Sequence, residues 1–166
     1  MEIGFELFFQ ERFGRTVVLL VAMGASQADA EDATQEAMIL AWNQWDAIRE
    51  PAAWVRTVAI RNYLRILRSG RTQAVLLDES LPDPVGNDDL GTFDEEQEQV
   101  LRLLRALPPG QRTVTALYYD GLNCEEIAAV LGKTPSTVRS NLRHARHFLK
   151  EVIASELLPG NVPSPR

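Results

Sequence analysis

The chain has 166 residues, 45% of them hydrophobic, and sets 17 Lys and Arg against 23 Asp and Glu for a formal net charge of -6. That apolar content suffices for a packed core and excludes wholesale disorder, while a lone cysteine, Cys124, excludes an internal disulfide and a multi-cysteine zinc site. No apolar run approaches the ~18 residues of a bilayer span, and the opening MEIGFELFFQERFGR has acids and amphipathic spacing where a signal peptide has a basic start and a continuous apolar run, so a cytoplasmic protein is expected.

The chain reads as all-α. From Glu6 to Ala22, the residues Phe5, Phe8, Phe9, Phe13, Val17, Leu20 and Val21 recur at three- and four-residue steps and give a first helix one apolar face. Gly24 ends it, and Ser26 suits the cap of a second helix starting near Ala28. There DAEDATQEAMILAWNQW puts acids in the first turn, where they favour the helix dipole, and Ala33, Ala37, Leu40 and Ala41 mark a buried stripe. Pro51 opens a third helix that runs to about Arg68. These three helices make a small bundle over residues 1–70.

Charge then shifts abruptly. Residues 1–70 carry -2, residues 71–100 carry -8, and residues 101–166 carry +4. The middle stretch contains SLPDPVGNDDLG, rich in Pro, Gly and Asp and poor in periodic apolar residues, so a flexible acidic linker is expected over 71–93. A second domain over 94–158 follows. It begins with a helix from Asp94 to Leu107 whose apolar side is Val100, Leu101, Leu104 and Leu107, and continues with one from Gln111 to Tyr119. Asn123 opens a sixth helix with Glu126 in capping-box register, and Thr134-Pro135 opens a seventh that runs to about Ser155. Residues 159–166 read as a disordered tail.

Helices six and seven are joined by Gly132-Lys133-Thr134, the short glycine turn of a helix-turn-helix. Val138, Leu142, Ala145 and Leu149 fall within about 60° of one another on the seventh helix, so Ser136, Arg139, Ser140, Arg143, His144 and His147 point away from that core. Residues 133–150, KTPSTVRSNLRHARHFLK, hold five basic side chains and no acid. Such a face can carry donors to base edges and phosphates in a major groove, and carboxylates there would oppose DNA phosphate. A solvated basic helix face is the plainer reading, but the turn, the cap and the acid-free run together favour DNA binding. His144 and His147 lack a third ligand at metal-binding spacing, and no cofactor site is expected.

DAEDATQEAMILAWNQW with PAAWVRTVAIRNYLRILR resembles the N-terminal domain of extracytoplasmic-function sigma factors of bacterial RNA polymerase. LPPGQRTVTALYYDGLNCEEIAAVLGKTPSTVRSNLRHARHFL resembles their C-terminal domain, in the right order and with a linker between. The resemblance implies that Lys133, Thr134, Ser136, Thr137, Arg139, Ser140, Arg143 and His144 read the promoter −35 element. It also implies that Arg56, Arg61, Asn62, Arg65 and Arg68 act in opening the −10 element, where basic groups suit a melted strand. Arg61 stands where members often carry Asn. Asp32, Gln35 and Glu36, at i, i+3 and i+4, form one exposed polar patch; in the family this patch docks on the β′ clamp helices of core polymerase, whose β flap is a second implied contact, and an anti-sigma factor is a further implied partner. No nucleophile–base set, carboxylate pair or phosphate loop appears, so a non-enzyme is expected. Two rivals stand beside this reading: a helix-turn-helix regulator that acts without polymerase, and a sigma-like decoy that binds an anti-sigma factor.

Overall fold

A computed structural model describes residues 2–70 and 93–157, and all of its regular elements are helical. They are α1 (Glu2–Ala22), α2 (Gln27–Asn43), a 3-10 turn (Trp45–Ala47), α3 (Pro51–Gly70), α4 (Glu95–Arg105), α5 (Pro109–Tyr119), α6 (Cys124–Leu131) and α7 (Pro135–Leu157). The expected linker, apart from Phe93, and the expected tail lie outside the described residues, as does Leu158.

The helix ends follow local chemistry. Gly24 takes φ 112°, a left-handed value that favours glycine, and lets the chain reverse after α1. Ser26 then caps α2 by accepting from the Asp29 amide at 3.1 Å. Asn123 and Glu126 form the expected capping box on α6. Asp94 lies outside α4 as its cap, boxed with Gln97, where a helix starting at Asp94 itself was expected. Helix α5 begins at Pro109, not Gln111, because proline's fixed φ suits the first turn.

In the N-terminal half, α2 lies against both α1 and α3. Its buried positions are mostly small (Ala30, Ala33, Ala37 and Ala41, with Thr34 and Met38), so Val17, Leu20 and Val21 of α1 and Val55, Ile60 and Tyr63 of α3 pack close on either side. The stripe excludes Leu40, which is 40% exposed. Leu40 lies about 100° round the helix from the stripe's centre, and Met38 takes its place inside. Phe9 and Val100, both expected inside, are likewise exposed. In the C-terminal half Leu101, Leu104, Leu107, Val114, Leu117, Ile127, Val138, Leu142 and Ala145 are buried together.

The two halves abut. Helix α1 packs on α4 and α5, and α3 touches α6. The Thr113 hydroxyl of α5 donates to the Met23 carbonyl at the end of α1, at 3.3 Å. Beside it runs Arg112, only 5% exposed, which donates to the carbonyls of Leu104, Arg105 and Leu107.

Candidate nucleic-acid interface

Helix α7 divides as its sequence requires. Val138, Leu142 and Ala145 are buried, while Thr137, Arg139, Arg143 and His144 are exposed and Ser140 is half-exposed. Gly132 ends α6 in the left-handed conformation at φ 65°, so the Lys133 amide reaches back to the Ala128 carbonyl at 2.9 Å. Thr134 then caps α7, its Oγ1 accepting from the Thr137 amide at 3.2 Å and lying 2.9 Å from the Thr137 hydroxyl. The turn thereby presents Lys133, Thr134, Ser136 and Thr137 at the front of the basic face, all of them exposed. Arg139 reaches across to Glu125 of α6 at 3.5 Å, and Arg146 lies 5.0 Å over the Tyr118 ring, so it belongs to the α5 side and not to the outer face. His147 pairs with Glu151 at 3.2 Å, and among the described residues no cluster could hold a metal ion.

On α3 the structure brings some of the expected residues together and separates others. Arg61, Arg65 and Arg68 fall within about 60° and are exposed, with the half-buried Trp54 at the head of the same row. Arg56 lies about 140° from Arg61, on the side that faces the C-terminal half. Asn62 is 5% exposed: its amide donates to the Ala33 carbonyl of α2 at 3.3 Å, and its Oδ1 accepts from Arg65 Nη2 at 3.0 Å. It positions Arg65 and ties α3 to α2, and it does not itself meet solvent. Tyr63, with an aromatic ring suited to base stacking, is buried too.

Asp32, Gln35 and Glu36 are all exposed on α2. Glu36 receives Arg65 Nη2 on both carboxylate oxygens at 3.0 Å, so the polar patch on α2 and the basic row on α3 are adjacent surfaces.

Arg56 has a partner that the sequence did not reveal. Its Nη1 donates to the Asp120 carboxylate at 3.2 Å and to the Asp120 carbonyl at 3.4 Å, across the two halves. In the sequence Asp120 is only the residue that follows the fifth helix, ahead of Gly121. Burial pushes the Asp120 carboxyl above its ordinary value of 3.8, and Arg56, then Arg12 and Arg15 of α1, pull it back in part. A raised folded-state value means that protonation favours folding. This contribution is fully present below pH 3.8 and fades as pH rises through the folded value. Asp120→Asn, which mimics the protonated group, should therefore gain slightly on the parent in urea midpoint between pH 3.8 and neutrality, and match it at lower pH. A parent that gains on the variant as pH rises would show that Arg56 outweighs the burial.

Comparison with known proteins agrees with this layout. Residues 11–73 match the family described as Sigma-70 region 2, and residues 97–149 match Sigma-70, region 4. An RNA polymerase sigma-E factor of Streptomyces avermitilis is 31% identical over 131 residues, which cover 76% of this chain and 72% of that protein. The ECF RNA polymerase sigma factor SigK of Mycobacterium tuberculosis is 27% identical over 159 residues, covering 90% of this chain and 85% of that one. Among solved structures, the sigma factor RpoE of Bartonella quintana, in complex with the anti-sigma factor NepR, superposes with a TM-score of 0.64 at 19% identity over 91% of this chain and 97% of its own. CnrH in complex with the cytosolic domain of CnrY gives 0.56 at 22% identity over 93% and 90%. With the three-helix half, the helix-turn-helix half and their order all matched, the chain belongs to the extracytoplasmic-function sigma factors of bacterial RNA polymerase, proteins that direct the polymerase to promoters.

Proposed function

We propose that this sigma factor divides its work between the two halves. The domain over 1–70 docks Asp32, Gln35 and Glu36 on the β′ clamp helices, and the basic row Arg61, Arg65 and Arg68, with Arg56, holds the melted −10 strand. The domain over 94–158 reads the −35 element with Lys133, Thr134, Ser136, Thr137, Arg139, Ser140, Arg143 and His144, and rests on the β flap. The protein acts in the cytoplasm and has no catalysis of its own. The observation that carries this is the division of α7: three buried apolar residues on one side and an exposed basic face, led by a capped glycine turn, on the other. Both solved relatives were captured with another protein, NepR and CnrY, and an anti-sigma factor is a further partner proposed here.

Run-off transcription with core polymerase on genomic promoter fragments tests the reading. Specific transcripts are expected only when core and this protein are combined; tight duplex binding without any polymerase requirement would favour a regulator of the polymerase-independent kind. Arg143→Ala should weaken −35 recognition by about 1–3 kcal/mol and relax sequence choice there, with core affinity unchanged. Arg139→Ala should do the same by less, since Glu125 already competes for that guanidinium. Normal transcription by both variants from every promoter tested would remove α7 as the reader.

A further inference from the structure

The outer face of α7 is longer than the groove it would enter. Ser136, Ser140, Arg143 and His147 fall within about 60° of one another, opposite the buried Val138, Leu142 and Ala145. A helix-turn-helix reader puts the first residues of this helix on base edges. Arg143 lies about 10 Å along the axis from Ser136, still within a major groove ~12 Å wide. His147 lies about 16 Å along, past the groove and level with the phosphates that border it. Its side chain is 79% exposed, and its Nε2 stands 3.2 Å from the carboxylate of Glu151, one turn on. Glu151 is also the first acid after the acid-free run 133–150.

We propose that His147 is a phosphate contact at the rim of the α7 footprint, made as an imidazolium that exchanges Glu151 for a DNA phosphate, so that DNA binding by this face takes up a proton. This rests on the reading of α7 as the DNA face.

Histidine is the side chain that ordinarily changes charge between about pH 5 and pH 8. Both histidines of the chain, His144 and His147, lie on this exposed face, so a charge change near neutrality falls where phosphate is met. Glu151 holds His147 weakly. Both side chains are more than half exposed, and a cation followed by an acid four residues on is the weaker order on a helix. A phosphate offers the same charge with more acceptor oxygens, so the exchange costs little. On α7 itself Arg143, His144 and Lys150 flank His147 and are, or become, cationic. The helices packed on α7 bring Cys124, Glu125 and Glu126 from α6, and Arg112, Tyr118 and Tyr119 from α5. Of these, Glu125 pairs with Arg139, Glu126 closes the α6 cap, and Tyr118 lies under Arg146. Arg112 holds the end of α4, at the seam where the two halves abut. Glu151 is therefore the acid that meets His147 among the described residues. Because the bound state favours the imidazolium, affinity rises as pH falls through the histidine range.

The anisotropy of a labelled duplex, titrated with the full chain over a range of salt and pH, tests the contact. A phosphate carries no sequence information, so duplexes of arbitrary sequence serve as probes. From about pH 8.5 to about pH 6 the parent should gain at least about fivefold in affinity at ~0.1 M salt, and its slope of log K against log salt should steepen by about 0.9. His147→Gln should lose most of that gain and slope at the lower pH, equally on every duplex, and the gap to the parent should close as pH rises. Circular dichroism should stay unchanged throughout, since the side chain is exposed. The same loss should appear when His147→Gln is compared with a His144→Gln parent, which separates the two histidines. Glu151→Gln should bind more tightly than the parent, because the acid that competes with phosphate is gone. A His147→Gln variant that keeps the parent's pH step and salt slope would overturn the contact. A Glu151→Gln variant no tighter than the parent would overturn the exchange. The titrations are repeated with holoenzyme on a promoter fragment, using one preparation of core polymerase for parent and variants. Failure to assemble with core would count against the sigma-factor reading, and the duplex titration would still decide the contact. A chain that binds no duplex at the lowest salt, alone or with core, would overturn both.

Discussion

Reversing charge at Asp32 and Glu36, with Lys at both positions, is expected to abolish assembly with core polymerase while circular dichroism and thermal midpoint stay close to the parent. Both side chains are exposed on α2, away from the buried stripe of Ala30, Ala33, Ala37 and Ala41, so the substitutions leave the core untouched. The fold loses only the Arg65–Glu36 pair, which is more than half exposed at each end and so contributes no more than about 1 kcal/mol. Binding loses far more. Like charges set opposite one another at an interface cost several kcal/mol, so two reversals should weaken core binding by more than about 100-fold. Pull-down with core enzyme against a dilution series reads the loss. Normal binding by the folded double variant would remove this patch as the docking surface. Glu36→Lys alone carries a second signature. It also frees Arg65 from its carboxylate, so any residual holoenzyme should hold single-stranded −10 DNA at least as well as the parent.

What the sequence revealed was mainly what neighbours in the chain decide. Ser26, the Asn123–Glu126 box, Gly132 and Thr134-Pro135 act within four residues, and each sits where its chemistry places it. The outward face of α7 was legible for the same reason, since one helix's own period fixes which side chains oppose Val138 and Leu142. Periodicity does not say what a face packs against. Leu40 is apolar but off its stripe's phase, Val100 is near the right phase yet 41% exposed among the described residues, and Phe9 lies partly in water although it stacks on Phe13 with centroids 5.0 Å apart. Conversely Asn62 and Tyr63, polar or amphipathic residues within a basic run, are buried because α2 crosses α3 at that level and offers Asn62 the Ala33 carbonyl. The Trp45–Ala47 turn escaped notice because three residues carry no period, although Trp45 is fixed there by edge contact with Phe5 at 5.0–5.1 Å between centroids, as is Trp42. The seam was illegible altogether. Arg56, Asp120, Met23 and Thr113 are remote in sequence, and only the folded chain sets them side by side.

Arg112 is the sharpest case of that kind, and its removal should give the largest loss of stability. A sequence reading places arginine at the surface. Here Arg112 is buried, and Nε and Nη2 donate to the Leu104, Arg105 and Leu107 carbonyls at 3.0–3.1 Å. These carbonyls lie at and just past the end of α4, where few amides remain (the Leu107 amide reaches Leu104 at 3.0 Å) and the helix dipole favours a cation. The Pro108-Pro109 pair explains why a side chain is needed. Neither proline has an N–H, so the chain leaving α4 cannot cap it from the backbone at those positions. Arg112, at the start of α5, folds back to do so, and its Nη1 lies against Gly24 of the α1–α2 turn. One side chain thus joins α4, α5 and the N-terminal half. Arg112→Ala removes a charged donor from three carbonyls, of which Leu104 keeps the Leu107 amide, and leaves a cavity beside Gly24; it should cost about 3–5 kcal/mol. For a chain of this size that lowers the melting temperature by roughly 6–20 °C. Arg112→Lys should recover only part of the loss, because an ammonium on a flexible stem cannot span the carbonyls as a planar fork does. Chemical denaturation of the parent and both variants measures the order. An alanine variant within about 1 kcal/mol of the parent would mean that other groups or water satisfy the end of α4 and that the seam does not depend on this guanidinium.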